Sequence, residues 1–242
     1  MSAPATEQPS PGVAEQPSPG VAVPAAVGVV VAAVVAVLVA VSLVVSLTED
    51  RLPTGPALPP PPASAPEVSF DATSRIVRYA EVTTRMPALP YVCPATPDST
   101  PPLISSGIIC SAPVHPDYEG TSDWTANAGF GAVADGLTRS TAEATARAFF
   151  DTFRSVGFDN RTTTLTEVTT DQADLGGHQV ALISGNVGYT VPGVPSTYDR
   201  VLVIVLPVED GSYAVYFSSR PDDTPKATLD VLNASIDGLV YT

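Results

Sequence analysis

The segment VLVIVLPVEDGSYAVYFS (residues 201–218) decides the fold of this chain. Its first six residues are apolar without alternation, which is typical of a strand covered on both faces. The sequence EDGS (residues 209–212) then predicts a tight turn, because Asp-Gly tolerates the positive φ angles of a hairpin. We therefore expect residues 200–208 to form the central strand of a sheet, followed after the turn by a strand at residues 213–219.

Further strands are predicted on the N-terminal side of this hairpin. Each is a short run with apolar or β-branched residues, bounded by Gly, Pro or polar clusters. They cover residues 75–85, 107–114, 124–133, 162–168 and 178–185.

The best-defined helix is predicted to begin at residue 140. Ser140 and Glu143 have the spacing of a capping box, in which each side chain accepts a hydrogen bond from a backbone N–H at the start of the helix. Apolar side chains follow at three- and four-residue spacing, and Gly157 ends the helix. They are Ala146, Phe149, Phe150, Phe153 and Val156. We expect this face to pack on the sheet, with the lining of a ligand pocket as the alternative.

A second helix is predicted near residue 225. Thr224 is expected to be its N-cap and Pro225 its first residue. Asp222 and Asp223 are placed where the helix dipole favours negative charge. Calcium binding by this pair, with Asp199 or Glu209, is the alternative, but calcium needs six or more oxygen ligands.

Together these elements predict the architecture of residues 67–242. One strand needs cover on both faces, and two amphipathic helices are available to provide it. We therefore predict an α+β domain with a mostly antiparallel sheet sandwiched by helices.

Residues 25–47 (AAVGVVVAAVVAVLVAVSLVVSL) contain no charged side chain. As a helix of about 35 Å, this segment would cross a hydrocarbon core of about 30 Å. It is longer than the apolar part of a signal peptide, and no Lys or Arg precedes it. We therefore predict a single transmembrane signal-anchor helix and a cell-membrane localisation.

The segments on either side of this helix are rich in proline. Residues 1–24 contain the sequence EQPSPGVA twice, which predicts a disordered tail with polyproline II character. Residues 48–66 contain seven prolines and predict an extended, semi-rigid linker.

Cys93 and Cys110 are the only cysteines. Such a pair is most simply a disulfide formed in an oxidising compartment. Zinc would need further ligands that their surroundings do not supply. The disulfide places residues 67–242 outside the cytoplasm and the tail, residues 1–24, inside.

The charge of the chain argues against nucleic acid as a partner. The formal net charge is −14, and residues 67–242 hold 21 of the 25 acids and 10 of the 11 bases. Such a surface repels phosphate groups.

The order of elements resembles the PsbP-like fold, with an early hairpin, a capped helix, an antiparallel meander and a closing helix. The resemblance covers residues 70–242 and is carried by DRVLVIVLPVEDGSYAVYFSSRPDD (residues 199–223) and the helix at residues 224–237. Within that fold the chain is similar to small cell-envelope lipoproteins of actinobacteria, although it lacks their lipobox cysteine. The resemblance implies an accessory or binding role in envelope or membrane complexes, without a shared catalytic site.

The sequence contains no catalytic motif. GxSxG, HExxH, P-loop and GxGxxG patterns do not occur. The two histidines, His115 and His178, lack the sequence context of a general base. We therefore predict no catalytic residue, metal or cofactor, and a hydrolase that uses one histidine with nearby acids is the weakest alternative.

Two loops are candidates for a binding surface. One, residues 115–124, carries Tyr118 and Trp124, and the other, residues 191–199, ends in Tyr198 and Asp199. Aromatic side chains on long loops are typical of recognition surfaces, although Trp124 at the start of a strand is also expected as a core anchor.

We therefore predict a non-enzymatic, membrane-anchored extracytoplasmic protein of the bacterial cell envelope. Its expected partner is another envelope protein or a cell-wall component. The alternative is a carrier of an apolar ligand or lipid, held between the sheet and the helix of Phe149, Phe150 and Phe153.

Overall fold

A computed structural model describes residues 66–118, 123–158 and 161–242. All of them belong to one compact unit, Ala63–Thr242. The predicted tail, the predicted transmembrane helix and all but the last residue of the predicted linker lie outside the described residues. Within the described part of the chain, no helix has the length and hydropathy to cross a bilayer.

The described residues form two antiparallel sheets and two α-helices. The strands, in chain order, are β1 (Ser69–Asp71), β2 (Ile76–Tyr79), β3 (Val82–Arg85), β4 (Asp98–Thr100), β5 (Ile104–His115), β6 (Trp124–Val133), β7 (Thr164–Leu175), β8 (His178–Gly188), β9 (Tyr198–Pro207), β10 (Tyr213–Pro221) and β11 (Val240–Tyr241). The helices are α1 (Ala142–Val156) and α2 (Lys226–Asp237), and a single 3₁₀ turn covers Asp135–Leu137.

The larger sheet has seven strands in the order β4-β5-β6-β10-β9-β8-β7. Strand β9 has neighbours on both sides, and its apolar run is buried on both faces except at Leu202, which is partly buried, as the uninterrupted VLVIVL sequence predicts. The middle position of the sheet belongs to β10, its hairpin partner. The predicted central strand is therefore interior but one place from the centre.

The smaller sheet has the order β1-β2-β3-β11 and was not predicted. Residues 75–85, expected to form one strand, are a hairpin that turns at Ala80, where φ is +50°. Val77, Tyr79 and Val82 from this hairpin share one hydrophobic core with Leu232 of α2 and one face of the larger sheet. That face is thus covered by a helix and a small sheet together.

Helix α1 covers the opposite face. Phe149, Phe150 and Phe153 are buried, and the rings of Phe149 and Phe153 lie 5.3 and 5.5 Å from that of Phe217 on β10. Val156 is 37% exposed and lies outside the buried face to which it was assigned. The ring packing confirms that this face of the helix contacts the sheet.

Both helices begin later than the sequence pattern indicates. In α1 the N-cap is Thr141, whose Oγ1 accepts a hydrogen bond from the Ala144 N–H at 3.1 Å, and the capping box predicted from Ser140 is wrong by one residue. In α2 the N-cap is Pro225, because the Thr224 hydroxyl donates to the carbonyl of Pro221 at 2.7 Å instead of capping the helix.

The two cysteines form the predicted disulfide. Cys93 and Cys110 are joined with a Cα–Cα distance of 4.1 Å. Beside them, the backbones of Val92 and Ser111 exchange two hydrogen bonds of 2.8 and 3.0 Å. A bond that closes a loop of this length, with a sequence separation of 17, stabilises the fold by about 3 kcal/mol in the chain-entropy model.

Candidate functional site

Three connections meet at one end of the seven-stranded sheet. They join β5 to β6, β8 to β9 and β10 to α2, and we call their described residues together the loop end (residues 115–118, 123–124, 189–197 and 222–225). The antiparallel register brings them together, since β9 starts opposite the end of both β8 and β10. The two loops predicted from sequence as separate binding candidates are therefore neighbours.

A histidine, a serine and an aspartate tie these connections to one another. His115 Nε2 lies 2.6 Å from Ser196 Oγ and 3.1 Å from Asp223 Oδ1. The Ser196 hydroxyl donates to the same Asp223 oxygen at 2.6 Å. Ser196 is 4% exposed, so this contact is shielded from solvent. Each of the three connections contributes one member.

The arrangement differs from that of a nucleophilic triad. In such a triad one imidazole nitrogen accepts the hydroxyl proton while a carboxylate orients the other nitrogen. Here a single nitrogen of His115 contacts both Ser196 and Asp223, and the hydroxyl proton is directed at the carboxylate. The three side chains instead connect three loops, and we call His115, Ser196 and Asp223 together the clamp.

A second contact joins the loop between β8 and β9 to the loop between β10 and α2. Asp222 accepts hydrogen bonds from the Thr197 backbone N–H at 3.1 Å and from the Thr197 hydroxyl at 2.9 Å. The acidic pair Asp222 and Asp223 therefore holds the 189–197 loop, a role that was not predicted for it. The pair still lies just before α2, as predicted, although α2 has no acidic residue in its own first turn. Among the described residues, no group of three or more acids, histidines or cysteines is arranged to hold a metal ion.

A buried aspartate organises the layer beneath the clamp. Tyr189 donates to Asp199 Oδ1 and Ser219 to Asp199 Oδ2, both at 2.6 Å, while Trp124 Nε1 donates to the Tyr189 hydroxyl at 2.9 Å. Burial raises the pKa of Asp199 to about 6, although the hydrogen bonds from Ser219, Tyr189 and Trp124 oppose this rise. Burial and the neighbouring Asp199 charge also raise the pKa of Tyr189.

Aromatic rings surround this network. The centre of the Trp124 ring lies 5.6 Å from that of Tyr118, in an edge-on arrangement, and 4.8 Å from that of Tyr189. The ring centres of Phe158 and Tyr189 lie 5.7 Å apart. The guanidinium of Arg161 lies 6.0 Å from the centre of the Trp124 ring. Trp124 is thus a core anchor, one of the two roles predicted for it, and it also supports the loop end.

A cleft of about 580 Å³ opens beside these rings. Its walls include Tyr189 and Arg161 together with four threonines. The threonines are Thr162, Thr164, Thr190 and Thr197. Hydroxyl groups, an aromatic ring and a cation are the groups that bind polar ligands or loops of another protein.

The structure brings together three of the four residues predicted as a binding surface. Tyr118 and Trp124 belong to the loop end and Asp199 lies buried directly beneath it, whereas Tyr198 faces the other side of the sheet. The difference follows from the strand, where successive side chains point to opposite faces. His178 lies apart from the loop end and stacks on Tyr241, with ring centres 3.8 Å apart and an interplanar angle of 9°.

Sequence reasoning missed Ser196 and Tyr189. Ser196 is 81 residues from His115 and 27 from Asp223 along the chain, so no local pattern connects them. A partial signal was the length of the loop that contains Ser196, because a long connection between core strands often carries function.

Comparison with known proteins gives a likeness of fold alone. No protein-family model matches this chain, and no curated protein matches it. Among solved structures, the solution structure of cyanobacterial PsbP (CyanoP) from Synechocystis sp. PCC 6803 matches with 10% sequence identity and a TM-score of 0.42. The match covers 78% of this chain and 100% of that chain. The likeness is to a PsbP fold in outline, and we take no function from it.

Proposed function

We propose that this chain is a membrane-anchored binding protein of the bacterial cell envelope, resembling actinobacterial envelope lipoproteins, and that it has no catalytic activity. Residues 25–47 anchor it, residues 48–66 hold the domain away from the membrane, and the domain lies outside the cytoplasm. The Cys93–Cys110 disulfide supports this orientation, because disulfides persist in oxidising compartments. The partner is another envelope protein or a cell-wall component, and it binds the loop end.

The observation that carries the proposal is the internal cross-linking of the loop end. Three connections are tied by the His115–Ser196–Asp223 clamp, and Asp222 fixes the 189–197 loop at two further points. Loops held in this way lose little conformational entropy when a partner binds. The adjoining cleft of about 580 Å³ offers the concave surface that such binding uses.

The same geometry supports binding over hydrolysis. A serine nucleophile needs a base within reach and an exposed oxygen, whereas the Ser196 hydroxyl is shielded and donates to Asp223. A fluorophosphonate probe tests this point directly. We expect no labelling of the full chain, and labelling that disappears in Ser196→Ala would favour the hydrolase alternative.

Site-specific photo-crosslinking tests the proposed surface. A photoreactive phenylalanine analogue is placed at Thr190, which is exposed at the cleft, or at Leu89, which is 77% exposed and lies outside the loop end. In intact cells we expect a defined crosslinked product from position 190 and none from position 89. Equal products from both positions, or none from position 190, would contradict the proposal.

The proposed topology needs its own experiment. A membrane-impermeant maleimide is added to intact cells that express Ser99→Cys, in the exposed part of the domain, or Ser10→Cys, in the tail. We expect labelling of position 99 alone. Labelling of position 10 alone would reverse the orientation.

A further inference from the structure

A second cavity lies on the opposite face of the seven-stranded sheet, between β8, β9, β10 and α2. Its volume is about 200 Å³. The walls carry Arg200 and Arg220 from the sheet, the serines Ser184 and Ser218, and Asn233 from α2. Five side chains with hydrogen-bonding groups therefore surround one small space.

The two arginines stand directly beside each other. Arg200 of β9 and Arg220 of β10 are register partners, and like charges in such cross-strand pairs are destabilising. Burial lowers the pKa of Arg220, and the charge of Arg200 lowers it further. In a domain with a strong excess of acids, this close pairing of two of its ten bases requires a reason.

Only one of the two arginines has an acidic neighbour. Arg200 Nη1 lies 3.6 Å from Glu167 Oε2, and the same oxygen accepts a hydrogen bond from Asn186 at 3.0 Å. Within the described part of the chain, no carboxylate lies within 4.0 Å of the Arg220 guanidinium, and no side chain hydrogen-bonds to it. Among the described residues, the positive charge of Arg220 at this cavity thus has no acidic partner.

We propose that this cavity binds a small oxyanion or carboxylate between Arg200 and Arg220. The planar guanidinium matches both groups, since it can donate two parallel hydrogen bonds to them. Asn233 and the serine hydroxyls supply further donors around the anion. A volume of about 200 Å³ is smaller than the roughly 300–1,000 Å³ typical of sites for drug-sized ligands, which favours a small anion. The site lies on the face opposite Asp199, so it is independent of the function proposed for the loop end.

The test is an anion titration of the full chain in detergent, at constant ionic strength in a chloride buffer. Inorganic phosphate and succinate are added separately, and binding is followed by calorimetry and by the midpoint of thermal unfolding. We expect saturable binding and a rise in the midpoint. Binding of phosphate alone would define an oxyanion site, binding of succinate alone a carboxylate site, and binding of both a site for either group.

Matched variants connect the effect to the cavity. Arg220→Gln should weaken anion binding at least tenfold, whereas Arg85→Gln, which removes an exposed arginine from the small sheet, should leave it unchanged. In chloride alone, Arg220→Gln should unfold at the same temperature as the parent or higher, because a like-charge contact is removed. A purely structural arginine would instead lower that temperature.

Three results would overturn the proposal. They are the absence of saturable binding of either anion, equal affinity in the parent and Arg220→Gln, and equal loss in Arg85→Gln. If Arg220→Gln does not fold, Arg220→Lys serves in its place. That variant keeps the charge but loses the fork of donors, so we expect about a threefold loss of affinity, and unchanged affinity would also overturn the proposal.

Discussion

Asp199 and Arg200 are consecutive residues of β9, yet the two faces of the sheet treat their charges differently. On the face toward α1, both carboxylate oxygens of Asp199 accept short hydrogen bonds, from Tyr189 and Ser219. On the face toward α2, Arg200 has one exposed acid, Glu167, as a neighbour, and its partner Arg220 has none among the described residues. Hydrogen bonds within the fold therefore offset part of the cost of burying the first charge. The second has no acidic partner among the described residues, and there we propose that an anion binds.

Replacing Asp199 should have the largest effect on stability. It tests whether the contacts of Asp199 contribute more to the free energy of unfolding than those of Arg220. Asp199→Ala leaves the buried hydroxyls of Tyr189 and Ser219 without an acceptor, and each orphaned donor costs about 1–3 kcal/mol. We expect the free energy of unfolding at pH 7 to fall by about 4 kcal/mol in urea titrations followed by circular dichroism. The comparison variant is Arg220→Ala, for which we expect a loss below about 1 kcal/mol, because Arg220 has no acidic partner among the described residues. Equal losses of unfolding free energy in the two variants would contradict this difference between the two faces of the sheet.

The pH dependence of stability tests the same aspartate without disrupting it. Burial raises the pKa of Asp199 from 3.8 to about 6, so the folded state binds its proton more tightly than the unfolded state does. The resulting stabilisation is complete below about pH 4 and is lost as the pH rises through about 6. A shift of about two pKa units corresponds to about 3 kcal/mol.

Asp199→Asn isolates this contribution, since the variant cannot titrate at position 199. The free energy of unfolding of the parent minus that of the variant should fall by about 3 kcal/mol between about pH 4 and 7. A difference that stays level across this range would show that Asp199 is not perturbed by burial.

The clamp at the loop end should contribute less than the buried aspartate. Ser196→Ala removes a shielded hydroxyl that contacts His115 and Asp223, and we expect a loss of about 1–2 kcal/mol in urea unfolding. Ser105→Ala is the control, because Ser105 is exposed and its hydroxyl makes a single long contact of 3.4 Å. Similar losses in the two variants would mean that the clamp does not hold the loops.

Glu167→Gln should have the smallest effect on stability and tests the other face. Glu167 and Arg200 form an exposed ion pair with an N–O distance of 3.6 Å, and such pairs contribute about 0–1 kcal/mol. Stability should therefore change by less than about 0.5 kcal/mol. Phosphate affinity should rise about threefold, since a competing carboxylate is removed, and a fall in affinity would argue that Glu167 belongs to the anion site as a ligand.

The main sheet could be predicted because its strands carry strong local signals. Strand β6 has the bounds expected for it, Trp124–Val133, and the unbroken apolar run of β9 indicated an interior strand. Strand β7 extends to Leu175, well beyond the predicted residue 168, because its second half is polar and lies at the sheet edge, where no apolar face is required. The strands β1, β4 and β11 have two or three residues each, too few for a pattern.

The loop end was predictable only in part. Aromatic residues on long loops identified Tyr118 and Trp124, and alternation along β9 separates Tyr198 from Asp199 without a structure. The partners of Ser196 could not be found in this way, because they come from two other connections that only the complete sheet brings together. The role of Asp222 and Asp223 was hidden for the same reason, since a local rule about helix starts already explained their charge.

The outer edge of β7 has a consequence for how other proteins reach this one. An unpaired edge strand can accept a strand from another chain, which leads to fusion of sheets or aggregation. In β7 the register with β8 shifts between Thr166 and Thr169, and Glu167 there has a φ of +54°. A bulge of this kind twists the strand, and the exposed acids Asp171 and Asp174 add charge along the same edge. We therefore expect β7 not to pair with a strand of another molecule. Copies of the protein at high density on one surface should then stay separate, and other proteins should bind through side chains and loops.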